Sequence, residues 1–145
     1  MGTRISRYFP HIIGLLLIGT IAAGSYYGVN ATSPTSSPPK TLWTTNPITI
    51  SFSHTTGTAS ASDPFKCAPP FLTTVVLTTT VNKPLLVSLS VSPSIFPSCG
   101  PSFSPLTLTA SSTVAGTYTA TVTVHQASQY GNTIPPSLTV NIVVN

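Results

Sequence analysis

The 145-residue sequence contains a single acidic residue, Asp63, against five cations, Arg4, Arg7, Lys40, Lys66 and Lys83. One carboxylate excludes hydrolysis by a carboxylate pair, and a Ser-His-Asp triad would need Asp63 beside His54 or His125. There is no Gly-x-Ser-x-Gly elbow and no glycine-rich phosphate loop. The formal charge of +4 is not a nucleic-acid footprint. Two of the cations fall in the first 31 residues, and three scattered lysines cannot replace the counterions of a phosphate backbone. Composition therefore points to a non-enzymatic protein with no cofactor and no nucleic-acid partner.

Hydroxyls stand where charges are missing. From Thr32 onward, 41 of 114 residues are Ser or Thr. Hydroxyls hydrate a surface without ionising, and a chain with one carboxylate and three histidines changes its charge little with pH. An acidic medium, a Thr-rich secreted domain and a glycosylated coat all suit that composition.

The N-terminus has the order of an export signal. Arg4 and Arg7 precede an uncharged, mostly apolar stretch of 18 residues, 12–29, whose strongest part ends at Gly24. Two fates remain open for this leader helix. Val29 and Ala31 suit signal-peptidase cleavage between Ala31 and Thr32. If retained, the stretch would span about 27 Å, close to one bilayer core, with Tyr26 and Tyr27 at the outer interface. Asn30-Ala31-Thr32 is also a glycosylation sequon, and cleavage after Ala31 would destroy it, so a glycan on Asn30 requires a retained leader. Either way the remainder is extracellular or at the cell surface. Residues 1–31 are thus signal peptide or membrane anchor, 32–41 ("TSPTSSPPKT") a Ser/Pro tether, and 42–145 one domain.

That domain alternates with a period of two. Tyr118, Ala120, Val122 and Val124 fall on one face of a strand, with Thr117, Thr119, Thr121 and Thr123 on the other. Leu138, Val140, Ile142 and Val144 repeat the pattern, as do Ile48, Ile50 and Phe52, and Leu85, Val87, Leu89 and Val91. Mixed strands are expected within 72–81 and 106–110. Six antiparallel strands with one apolar face each bury those faces most economically as a sandwich. Cys67 and Cys99 lie in proline-rich loops, and in an exported chain a lone pair reads as one disulfide. A metal site joining them to His54 and His125 lacks the short Cys-x-x-Cys spacing. Both histidines end strands and read as exposed loop-edge residues.

The segment "SPLTLTASSTVAGTYTATVTVHQ" followed by "PSLTVNIVV" resembles the last three strands of the immunoglobulin-like accessory domains of prokaryotic secreted and surface proteins, with Gly116-Thr117-Tyr118 opening the penultimate strand. The resemblance covers about half the chain, residues 71–144. It implies an all-β, immunoglobulin-like antiparallel β-sandwich serving as spacer, adhesion module or filament subunit, with no catalytic residues to transfer.

Two functions are consistent with these features. In the first, the protein is a surface filament or coat subunit. Its N-terminal arm, with Trp43, Ile48, Ile50 and Phe52, leaves its own domain to pair with an open sheet edge of the next copy. That arrangement resembles donor-strand assembly of pili and archaeal surface threads, and an intramolecular first strand would sink it. In the second, a membrane-anchored module binds another surface protein or a glycan. Trp43, Phe65, Phe71, Phe96, Phe103 and Tyr130 are candidates for a sugar-stacking face, although core packing accounts for most of them.

Overall fold

Alternating Thr and β-branched residues favour extended, half-buried backbone, and ten strands form. The structure is a computed structural model that describes residues 37–70, 72–127 and 132–145. The leader, with Asn30, Ala31 and Thr32, lies outside the described residues, as do Phe71 and Tyr130. In chain order the strands are β1 (Lys40–Trp43), β2 (Ile48–Phe52), β3 (Thr58–Ser62), β4 (Phe65–Ala68), β5 (Val75–Val81), β6 (Ser88–Ser92), β7 (Ile95–Phe96), β8 (Thr107–Ser111), β9 (Gly116–Gln126) and β10 (Leu138–Val144).

Two sheets face one another as layers of a sandwich. One has the order β2-β10-β9-β5-β7 and the other β3-β8-β6, while β1 and β4 form a separate antiparallel pair. Their inward residues make one core: Tyr118, Ala120, Val122 and Val124 of β9 and Val140 and Ile142 of β10 on one side, Leu108 and Ala110 of β8 on the other. The alternation expected for β9 and β10 is seen directly, as every second residue is buried.

Four features depart from the sequence-based expectation. Six strands were expected and ten are present among the described residues, because β1, β3, β4 and β7 are short or built of small residues. The strands are not all antiparallel: β2 runs parallel to β10, with Ile48 opposite Val140 and Phe52 opposite Val144. Leu85 is not in a strand. Lys83 accepts from the amides of Leu86 and Val87 and closes a turn that leaves Leu85 97 % exposed. Lys40 and Thr41, grouped with the tether by composition, sit in β1.

Cys67 of β4 and Cys99 of the 97–106 loop are joined by a disulfide, with Cα atoms 5.4 Å apart and both residues fully buried. The bond fastens the β1-β4 pair to the loop entering β8. Nearby, Phe65 accepts from and donates to the backbone of Ser104, and its ring meets Phe96 edge-on at 5.0 Å. Tyr118 fixes the opposite end of β9: its hydroxyl donates to the Val114 carbonyl at 3.0 Å while its ring stays in the core.

Candidate assembly site: the seat of the first strand

The residues expected to act as an arm are seated in their own domain. Ile50 and Phe52 are buried core residues of β2, and Ile48 and Trp43 are half-buried against that core. A series of hydrogen bonds, each reaching more than ninety residues along the chain, holds this segment down. Thr41 donates its hydroxyl to Ile134 O (2.8 Å) and its amide to Pro135 O (2.8 Å). The indole Nε1 of Trp43 donates to Pro136 O at 3.0 Å. Asn46 donates to Ser137 O and accepts from the Thr139 amide, both at 3.0 Å. Trp43 also lies 5.2 Å from the Phe65 ring. The free arm expected from the sequence is thus an intramolecular first strand in the folded chain. The physical reason is that Thr41 and Asn46 supply bonds that a Ser/Pro tether would lack.

Asp63 takes part in the same seat. It is 1 % exposed. Its Oδ1 accepts from the Thr45 amide at 3.0 Å, fixing the β1–β2 connection, while Oδ2 has no hydrogen-bond partner. Burial raises the pKa of its carboxyl from the ordinary value, and the backbone donors of Thr45 and Thr44 partly offset that.

The histidines do not join it. His54 is exposed in the turn between β2 and β3, its Nδ1 2.7 Å from Asn145 O. The length of β3, about 16 Å at roughly 3.3 Å per residue, separates it from Asp63. His125 is not the exposed loop-edge residue expected. It lies within β9 opposite Val76, half-buried, with Nε2 3.0 Å from the Thr78 hydroxyl. Pairing on both sides of β9 continues past the point where the apolar alternation ends. Among the described residues no group of three or more His, Cys, Asp or Glu side chains converges to hold a metal.

Of the aromatic candidates, Phe65 and Phe96 are core residues. Phe103 is 49 % exposed, with the Lys66 ammonium 4.6 Å from its ring centroid. Beside the start of the first strand lies a groove of about 430 Å³, lined by Pro38, Pro39, Thr133, Ile134 and Pro135 among others. Among the described residues no titratable side chain lines it.

Thr41 and Asn46 were not singled out by sequence. The one available signal was the placement of Asn46 before Pro47 in a short hydroxyl-rich connection, a turn signature that does not say what the turn bonds to.

No protein-family model matches the chain, and no curated protein matches it. Among solved structures it is similar to domains 4 and 5 of the S-layer protein SbsC, at 17 % identity over 72 % of this chain and 50 % of that one, with a TM-score of 0.45. The chain therefore spans about half the length of that fragment. It is also similar to the N-terminal domain of PorA, at 15 % identity over 73 % and 98 % of the two chains with a TM-score of 0.45. A third likeness is to WR4, an MSP family member of C. elegans, at 8 % identity over 67 % and 92 % with a TM-score of 0.43.

Proposed function

We propose that this chain is a non-enzymatic extracellular structural protein, a self-associating subunit of a surface filament or coat built on an immunoglobulin-like sandwich. The observation that carries the proposal is the outer face of the β3-β8-β6 sheet. Its outward positions, Thr58, Ser60 and Ser62, Ser88, Ser90 and Ser92, Thr107, Thr109 and Ser111, are all hydroxyl residues. Such a face stays hydrated without the charge that holds copies of a soluble protein apart. The three described lysines, Lys40 in β1, Lys66 in β4 and Lys83 in the turn before β6, lie outside these three strands. The sole acid is consumed in a backbone turn rather than offered to a substrate.

The immunoglobulin-like reading is supported by two facing sheets, β2-β10-β9-β5-β7 and β3-β8-β6. It is also supported by Tyr118, whose hydroxyl bonds four residues back at the corner that opens β9, as the tyrosine corner of such sandwiches does. Export follows from the basic-then-apolar leader and suits a chain whose cysteines are paired. The arm can serve assembly only by exchange, leaving its bonds to 134–139 for the same bonds on a neighbour. Its intramolecular seat removes the free-arm route to assembly. Intact mass and N-terminal sequencing of the natural protein, with microscopy of the same fraction, test the proposal. A surface assembly of disulfide-bonded chains supports it, and a dispersed monomer refutes it.

One observation favours a second reading, a membrane-anchored module that binds a surface protein or glycan. Phe103 is open beside a cation in a loop fixed by the disulfide. Loss of cell-surface glycan binding in Phe103→Ala with unchanged folding would support it, and unchanged binding would remove it.

A further inference from the structure

Open strand edges are where copies of a β-rich chain can pair with one another. Each sheet ends in strands whose outer backbone groups lack a ladder partner, and natural proteins usually guard such edges with charge, proline or a covering element. The edge at β6 is guarded. The β3-β8 register places the Leu89 and Val91 backbone groups outward on β6, and the Leu89 carbonyl there accepts the Thr79 hydroxyl at 3.0 Å. At the far end of the larger sheet, β7 is two residues long and followed by Pro97.

The edge at β3 is different. The Gly57 carbonyl accepts from the Ser112 amide at 3.0 Å, and the Asp63 amide donates to Leu106 O at 3.1 Å. With the register between them, these bonds set the phase of the strand: residues 57, 59, 61 and 63 bond toward β8. The N–H and C=O of Thr58, Ser60 and Ser62 therefore face away from the sheet. β3 is the end strand of its sheet and carries no charge, proline or glycine. β1 covers β4, but the chain then crosses to pair with β10, which leaves β3 uncovered.

We propose that β3 is the contact between two copies of this chain, pairing antiparallel with its own counterpart about a two-fold axis at Ser60. The inference rests on the self-association reading and names its surface. In that register Thr58 faces Ser62 of the second copy, Ser60 faces Ser60, and all three outward residues exchange both backbone bonds. No other edge offers three: the bonds of Asn145 to Phe52 O and from His54 N leave only Thr49 and Ser51 outward on β2. The side chains agree with a second copy as the occupant. Ala59 and Ala61 are half-buried at the margin of the core and small enough to cover each other across the axis. On the outer face, hydroxyls would meet hydroxyls, as Ser60 and Thr109 already do at 2.8 Å. No like charges meet, because β3, β8 and β6 contain none.

The test uses the full chain in a mild detergent and reads its mass by sedimentation equilibrium. The wild type is expected to associate. Ser60→Lys and Ser60→Asp place like-charged residues opposite each other, with Cα atoms about 5.5 Å apart across the axis, and each is expected to lose that association while keeping the wild-type melting temperature, since Ser60 is exposed. An equimolar mixture of the two is expected to regain it as a one-to-one pair. Ser60→Pro, which removes an amide that faces away from β8, gives a second disrupted variant that keeps the fold. Variants that associate as the wild type does would overturn the β3 contact and leave self-association standing. A wild type that is monomeric throughout would overturn both.

Discussion

Asp63, the one acidic residue of the chain, accepts a 3.0 Å hydrogen bond from the Thr45 amide through one oxygen and buries the other without a partner. Desolvation therefore outweighs the two backbone donors and raises its pKa. The sign follows from linkage. A carboxyl whose folded pKa lies above its unfolded value binds its proton more tightly when folded. Its stabilising contribution is full below the unfolded value, roughly 3.9, and is lost as pH rises through the raised folded value. The chain should melt at a higher temperature in mild acid than at neutral pH. Asp63→Asn, which keeps an acceptor for Thr45, should flatten the dependence. Thermal melts across that range at fixed ionic strength check this, and stability that falls on acidification through the carboxylate range would contradict it.

The disulfide between Cys67 and Cys99 closes a loop with a sequence separation of 32. Chain-entropy reasoning assigns such a loop about 3 to 4 kcal/mol. Cys67→Ala with Cys99→Ala should lower the melting temperature by more than about 10 °C. Calorimetry of the double variant reads this directly. A shift of only a degree or two would show that the 97–106 loop is held by its other contacts.

Gly116 has a φ of 153°, and a Cβ placed there would stand 3.2 Å from the Tyr118 hydroxyl. Tyr118→Phe should cost about 1 kcal/mol through the lost bond to Val114, and Gly116→Ala about 1–3 kcal/mol through backbone strain and crowding. The crowding is against the hydroxyl itself, so Gly116→Ala should cost less in the Tyr118→Phe background. A double-mutant cycle in denaturant measures the coupling, and strict additivity would refute the contact.

How much of this was legible varied with side-chain contrast. Tyr118, Ala120, Val122 and Val124 alternate with threonines, so both the strand and its buried face could be read off the sequence. In β3, "TASAS", alanine and serine differ too little for the same reading, and the strand that frames the proposed contact went unseen. The parallel run of β2 beside β10 was equally hidden, because period-two alternation is the same in either direction. Leu85 continued an apolar rhythm past the point where the Lys83 carbonyl had already closed a turn. Asp63 was visible as a solitary acid, but its partner lay 18 residues away in a connection with no apolar pattern.

Ile50 discriminates a seated N-terminal arm from a free one. It is 3 % exposed within β2. Ile50→Ala should destabilise the dilute, unassociated chain by about 2–5 kcal/mol. A monomer indifferent to this change would mean that the strand does its packing in another copy.

The proposed function makes this chain the building unit of a surface structure formed from its own copies. The most direct measurement is electron microscopy of the native surface fraction, with antibody against the described domain marking the chain. Label repeating along filaments or across a continuous coat is the predicted result. Label confined to dispersed single particles, in a fraction whose chains are intact and disulfide-bonded, would contradict it.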